Sequence, residues 1–315
     1  MSHEAAMLII VLIALIAGLG WVTKGVTTRG PNIVNVFLQS SIRGVVSVGQ
    51  TFVILTGGID VSVGGIGLMC SVLGASMMTQ DMFVNIVGHP VSIYIAMPVM
   101  LLTGLGWGSI NGSLVSRISM PALIVTLAMW EITKGVGFAI CEGRSLGQQP
   151  DNLAFIGGGT VGMVPVPVII FVVVAVIAYF VLHHTTFGRS IYAVGGNPLS
   201  AWLSGINVKL LLFTVYIISG FLAGLAGIII TGRVMSASMR TLEGLELDSI
   251  AAVVVGGVSL AGGRGTIIGA ILGVLIIGVI NNGMSVLGAD PTMMGIAKGV
   301  IIIGAVAADY IRRRQ

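Results

Sequence analysis

The stretch LTGGIDVSVGG, residues 55–65, holds one carboxylate, Asp60, between two glycine pairs and within long apolar runs. Insertion scales charge about 2.5–3.5 kcal/mol for an aspartate at mid-membrane, so the charge must be compensated or sit near an interface. Two roles suit it. As a cap, Asp60 would satisfy orphan N–H groups at the start of a helix from Val61, worth about 1 kcal/mol. As a pathway or gate group it would line a solute route with Ser62, because intramembrane ionisable residues face a cavity or a partner. Three amides, Asn111, Asn281 and Asn282, also interrupt apolar runs. They can bond between helices, or offer a polyhydroxylated solute neutral donors and acceptors. Arg43 and Lys298 fall inside apolar runs too, and either could pair with a carboxylate such as Asp60.

A second site of interest is polar: HHTTFGRSIYAVGGNPLSAWLSGINVK, residues 183–209. Asn197 followed by Pro198 reads as an N-cap with proline at the first helical position. Leu199, Trp202, Leu203 and Ile206 then recur at i, i+3, i+4 and i+7, which is one helix face. Gly205 stands where such a helix would stop. The result is an amphipathic helix of about two turns outside the bilayer core. It either lies on the membrane surface or docks as a knob in a groove on a cytoplasmic partner.

Several chemistries are absent. No GxxxxGK[ST] occurs, and no lysine follows a glycine, so the chain lacks the phosphate cradle of a P-loop ATPase. His183 and His184 are adjacent and would point apart on a helix, which is not metal-ligand spacing. Cys70 and Cys141 share no CxxC spacing and read as ordinary apolar residues. Nothing resembles a nucleophile elbow. No cofactor, metal or enzymatic activity is expected of this chain. The net charge of +4 is spread thinly, with no basic stripe for a nucleic acid.

The elements that must position these groups are membrane helices. Of 315 residues, 56% are hydrophobic and 8% charged, and mean hydropathy is +1.07. Soluble domains carry roughly a quarter charged residues, so the composition is that of a polytopic membrane protein. The 47 glycines sit among Leu, Ile, Val and Ala, where small residues let helices pack closely in lipid. Crossing about 30 Å of hydrocarbon takes roughly 20 residues. Candidate spans are residues 5–22, 34–56, 61–79, 92–115, 120–141, 164–182, 210–232, 247–260, 266–287 and 292–311, about ten, with 247–260 too short to cross alone. The first lacks a positive n-region and an A-x-A site, so it is expected to be retained as a span. All polar segments are loop-sized, which makes residues 1–315 a single all-α transmembrane domain. Arg312, Arg313 and Arg314, with Arg117, Arg189 and Lys209, place both termini in the cytoplasm. Asp81, Glu142, Asp151, Glu243, Glu246 and Asp248 then fall to the other side.

Small-xxx-small faces occur at Gly104, Gly108 and Gly112, at Gly220 and Gly224, and at Gly265, Gly269 and Gly273. Close packing within one bundle accounts for them. VILTGGIDVSVGG (53–65) is echoed with gaps by VVVGGVSLAGG (253–263). In both, an apolar half-segment ends at a glycine pair, a polar break follows, and a second glycine pair opens a new helix. Interrupted helices in repeated positions point to a transport pathway.

Three stretches carry a resemblance: VGQTFVILTGGIDVSVGG (48–65), HHTTFGRSIYAVGGNPLSAWLSGINV (183–208) and LDSIAAVVVGGVSLAGGRGTIIGAILGVLIIGVINNG (247–283). Together they resemble the membrane permease of bacterial ATP-binding-cassette importers for ribose-like monosaccharides, in order over about residues 33–311. The resemblance implies the type II importer fold with glycine-broken helices, in the bacterial inner membrane and in contact with lipid. It implies three protein partners: a second permease subunit, as a homodimer, a cytoplasmic ATP-binding subunit and a periplasmic sugar-binding protein. Gly196, Asn197, Pro198, Leu199, Ala201, Trp202, Leu203 and Gly205 would form the coupling helix that inserts into the ATPase. Asp60 and Ser62 match the family's Gly-Ile-Asp-Leu-Ser-Val-Gly stretch, with Val61 in place of leucine, and Gly65 stands where serine is frequent. Residues 142–163 form a less typical loop that would face the binding protein. The rival reading is an ATPase-independent secondary transporter or channel, which would use Asp60 as a titratable group.

Overall fold

A computed structural model describes residues 3–314; the side chains of Arg312, Arg313 and Arg314, which bear on orientation, lie outside that description. The chain forms thirteen helices and one small hairpin among the described residues. The helices are α1 (His3–Val22), α2 (Gly30–Leu55), α3 (Val63–Met78), α4 (Ile93–Ser116), α5 (Ala122–Cys141), α6 (Asp151–Gly158), α7 (Val166–His184), α8 (Thr186–Gly196), α9 (Pro198–Leu203), α10 (Val208–Val234), α11 (Leu245–Val255), α12 (Ile267–Val286) and α13 (Pro291–Arg314). Two-residue strands β1 (Thr160–Val161) and β2 (Val164–Pro165) pair antiparallel between α6 and α7.

Each of the ten apolar runs became a helix. Six of them are long and apolar enough to cross a membrane by themselves. α2 has the length, at 26 residues, but carries Gln39, Arg43 and Gln50. α11 has only 11 residues and stops short, as its run length required. Three elements fall where loops were expected. α8 lies in the polar segment before α9, α6 lies within residues 142–163, and the hairpin starts there and ends with β2 at the head of the next apolar run. All three are too short or too polar to leave a hydropathy signal.

The core runs along α2, α3 and α10, where Val45, Val53, Ile66, Val215, Ala223 and Ile229 are fully buried. The outer faces are apolar as well: Ile10, Leu102, Val176 and Ile303 are all exposed. Such a surface would aggregate in water and belongs against lipid.

Glycine sets how closely the central helices approach. A Cβ at Gly220 on α10 would collide with the Gly104 carbonyl and with Gly108 on α4, and one at Gly108 would meet the Tyr216 carbonyl. Gly256, on the residue after α11, stands in the same relation to Gly269 of α12. The small-residue stripes therefore face one another inside a single chain.

The two sequence echoes are helix breaks closed in the same way. After α2, Gly57 N–H donates to Ile54 O (2.9 Å) and Gly58 N–H to Val53 O (3.1 Å). After α11, Gly257 N–H donates to Val254 O (2.9 Å) and Val258 N–H to Val253 O (3.2 Å). Both are Schellman motifs, with Gly57 at φ +81° and Gly257 at φ +86° in the left-handed position. In one respect the echo departs from expectation. Gly262 and Gly263 do not open a helix; they turn the loop at φ +84° and +73°, and α12 starts later behind Thr266, whose side chain accepts from Gly269 N–H at 3.0 Å.

Gly220→Ala is expected to cost about 1–3 kcal/mol through overpacking of the α4–α10 crossing. Gly106→Ala, on the open face of α4, is expected to be neutral or slightly stabilising. Thermal unfolding in detergent compares the two, and equal effects would contradict the crossing.

Candidate functional site

Asp60 lies in the break between α2 and α3 and has no exposed surface. Its Oδ1 accepts from Ser62 N–H at 3.0 Å and from the Ser62 hydroxyl, and its Oδ2 accepts from the Ser219 hydroxyl of α10 at 2.8 Å. Asn111 of α4 donates to the Ser62 oxygen at 2.7 Å. The backbone around the carboxylate is held too. The Gln50 amide donates to Asp60 O at 3.1 Å and accepts from Asp60 N–H at 3.2 Å, and Thr126 donates to Ile59 O at 3.3 Å. Acceptance from the amide two residues on makes a local Asx turn; α3 begins at Val63 behind Ser62 with no side-chain cap bond, so Asp60 stands two residues ahead of the cap position instead of occupying it.

Asp60 is thus compensated by hydroxyls and backbone rather than by a cation. The cations considered as its partners pair elsewhere: Arg43 Nε with Asp248 Oδ2 at 3.1 Å and Lys298 Nζ with Asp248 Oδ1 at 2.8 Å. Asp248 was placed on the outer side of the membrane from sequence; it sits in the first turn of α11 with a side chain only 6% exposed.

The structure brings Asp60, Ser62 and Asn111 into one network and leaves Asn281 and Asn282 apart. Both asparagines lie on α12, about 21 Å along the helix from the second break. Asn282 and Asn32 exchange amide hydrogen bonds of 2.8 and 3.0 Å between α12 and α2. Asn281 is buried and its Nδ2 has no partner among the described residues. Ser219 and Gln50 complete the Asp60 network and were missed. Each is a polar residue in an apolar run, the only trace that sequence could give.

The short helix α9 is built as its sequence indicated. The Asn197 side chain accepts from Ser200 N–H at 3.0 Å, and Pro198 opens the first turn. Gly205 N–H donates to Trp202 O at 2.9 Å and Ile206 N–H to Ala201 O at 3.1 Å, a Schellman stop with Gly205 at φ +87°. Leu199, Trp202 and Leu203 are 65%, 62% and 71% exposed, while Ala201 is buried. Ile206 does not extend that face. It lies past the left-handed turn and packs against the core.

α9 is tied to both breaks by backbone. Asn197 ends α8 and begins α9. Two residues before it, a Cβ at Gly195 would overlap Leu55 O and Gly263 N, while Leu55 O itself accepts from Gly263 N–H at 2.9 Å. Gly262 approaches both Gly57 and Gly195. Tyr192 of α8 donates to Gly265 O at 2.9 Å. The end of α8 and the two breaks therefore meet at one glycine junction.

Residues 32–306 match the family described as branched-chain amino acid transport system / permease component. The chain belongs to this family. It is a multi-pass inner-membrane permease. The ribose import permease protein of Escherichia coli is 38% identical over 285 residues, covering 89% of this chain and 85% of that protein. The D-allose transport system permease protein of the same organism is 38% identical over 253 residues, 79% and 74% of the two chains. The fructose import permease protein of Rhizobium meliloti is 35% identical over 290 residues, 88% and 77%. No solved structure matches the chain.

Asp60→Ala strands three buried donors and is expected to cost about 1–3 kcal/mol or more. Asp60→Asn keeps an acceptor for Ser62 while Ser219 can turn to accept, so most of the stability should remain. Thermal unfolding ranks the two variants, and an Asn variant as unstable as Ala would mean that the network requires the charge itself.

Proposed function

We propose that the chain is the permease subunit of an ATP-driven importer that moves a simple, ribose-like sugar across the inner membrane by alternating access. Relatives named for ribose, D-allose and fructose support a sugar as cargo. The observation that carries the mechanism is the unbroken backbone route from α9 to the two breaks.

In this reading Leu199, Trp202 and Leu203 seat in a groove on a separate ATP-binding subunit, as amphipathic helices do. Gly196, Asn197, Pro198, Ala201 and Gly205 hold that face at its angle. Closure of the ATPase displaces α9, and the glycine junction passes the displacement to α2–α3 and α11–α12. The network of Asp60, Ser62, Asn111 and Ser219 is a closed gate beside the first break, and its bonds must exchange partners when the break moves. Asn281 and Asn282 line the route farther along α12. A second copy of the permease completes the path. A secreted sugar-binding protein delivers cargo at the face formed by residues 142–163, at the far end of α5 from α9.

The test is reconstitution with the ATPase and the binding protein. Trp202→Ala should lower ATP-driven uptake about tenfold or more, the scale of losing an aromatic interface anchor, with membrane insertion and basal ATP hydrolysis retained. Coupled transport at the normal rate in this variant would count against the role of α9. Uptake by the permease alone on an ion gradient would identify an autonomous transporter instead.

A further inference from the structure

Several of the charges outside the Asp60 network gather around one cavity. Its walls come from α2, α10, α11 and α13, with Gln39, Arg43, Arg233, Glu243, Asp248 and Lys298 among its lining. Its volume is about 360 Å³, within the range of roughly 300–1,000 Å³ that small-molecule sites occupy.

Arg43 stands near the middle of α2, 13 residues after Gly30 and 12 before Leu55. It shares the Asp248 carboxylate with Lys298 of α13. Higher on the same wall, Arg233 Nη2 donates to Asn35 Oδ1 at 3.1 Å, and Gln39 Nε2 lies 3.5 Å from that oxygen. A purely structural ion cluster would close on itself and satisfy its donors. Here Arg43 Nη1 and Arg233 Nη1, from two different helices, are shielded from solvent and have no hydrogen-bond partner among the described residues.

The chemistry of the walls narrows the occupant. Three cations (Arg43, Arg233, Lys298) face two carboxylates (Asp248, Glu243), so the net field is weak and neither a cation nor a strong anion is favoured. Donors from Gln39, Arg43, Arg233 and Lys298 and acceptors from Asp248 and Glu243 share the lining, which suits a neutral molecule whose groups both donate and accept. Hydroxyls do this. The location has a mechanical consequence as well: α2 and α11, which supply Arg43 and Asp248, are the two helices that end in the glycine breaks.

We propose that this cavity is a binding site of the permease for a neutral polyhydroxylated solute of monosaccharide size, with Arg43 and Arg233 as donors and Asp248 as acceptor. This rests on the sugar-permease reading above. It adds a site within the permease itself that recognises the cargo during passage, separate from any delivering protein.

Saturation-transfer NMR of D-ribose, D-allose and D-fructose against the full chain in lipid nanodiscs tests it, with inorganic phosphate as competitor. Transfer from at least one sugar, unaffected by phosphate, is expected. Arg233→Gln, which leaves the Asp248 ion pairs intact, should weaken it about tenfold, as loss of a charge-assisted hydrogen bond does, and Gln39→Leu, which removes a neutral amide, should weaken it about threefold. Gly106→Ala, on the open face of α4 and away from the cavity, serves as a folding control. No transfer with any of the sugars, binding unchanged in both wall variants, or displacement by phosphate would each overturn the site. ATP-driven uptake by the complete wild-type transporter, measured in parallel, separates the two claims. Uptake present with no effect of the variants refutes the site alone, and uptake of no sugar refutes the permease reading with it.

Discussion

Where a helix stops inside a bilayer, no water is available to take up the carbonyls and amides it releases, and the protein must pair them from within. This chain stops two apolar helices against the packed interior of its bundle, α2 after Leu55 and α11 after Val255. Each folds its last carbonyls back through a Schellman turn, but the turns leave more to satisfy. Leu55 O is taken by Gly263 N–H from the other break, and the backbone of Asp60 is clamped by Gln50. The breaks are therefore partners of each other, and their mutual distance follows from hydrogen-bond geometry rather than from side-chain packing. Glycine is demanded at Gly195 and Gly262 because backbones touch there. It is not demanded everywhere: Gly106 and Gly135 face open space.

The same constraint gives two carboxylates different neighbours. Asp60 is held by neutral donors and is completely enclosed, so its bonds can be exchanged one hydroxyl at a time. Asp248 is held by Arg43 and Lys298, from helices on either side of it, so separating those helices must part charges. The first arrangement favours small rearrangements. The second favours a discrete opening. A permease that alternates between two states has use for both.

Run length and hydropathy were enough to locate ten apolar helices, because a segment of that kind has few alternatives to spanning or packing in lipid. The cap and stop of α9 were equally legible, since Asn197, Pro198 and Gly205 act on their immediate neighbours. What could not be read was partner choice. Ser219 finds Asp60 across 159 positions, and Asn282 finds Asn32 across 250. No local pattern encodes those distances. Asp248 was placed outside the membrane because α11 is short and opens with acidic residues, which is also how a loop reads. α8 escaped notice because its polar sequence carries no span signal, yet its end is the point at which the breaks converge.

A single residue, Asn197, closes α8 and caps α9, so no linker separates the junction from the exposed face. The chain length at that point is consequently a phase angle. One residue added after Gly196 would turn the face of Leu199, Trp202 and Leu203 by about 100° around the helix axis, with composition and hydrophobicity nearly untouched. Spacing between Gly195 and Trp202 is thus a stricter inheritance than the identity of the apolar side chains between them, which can trade bulk for bulk as long as they arrive at the same bearing.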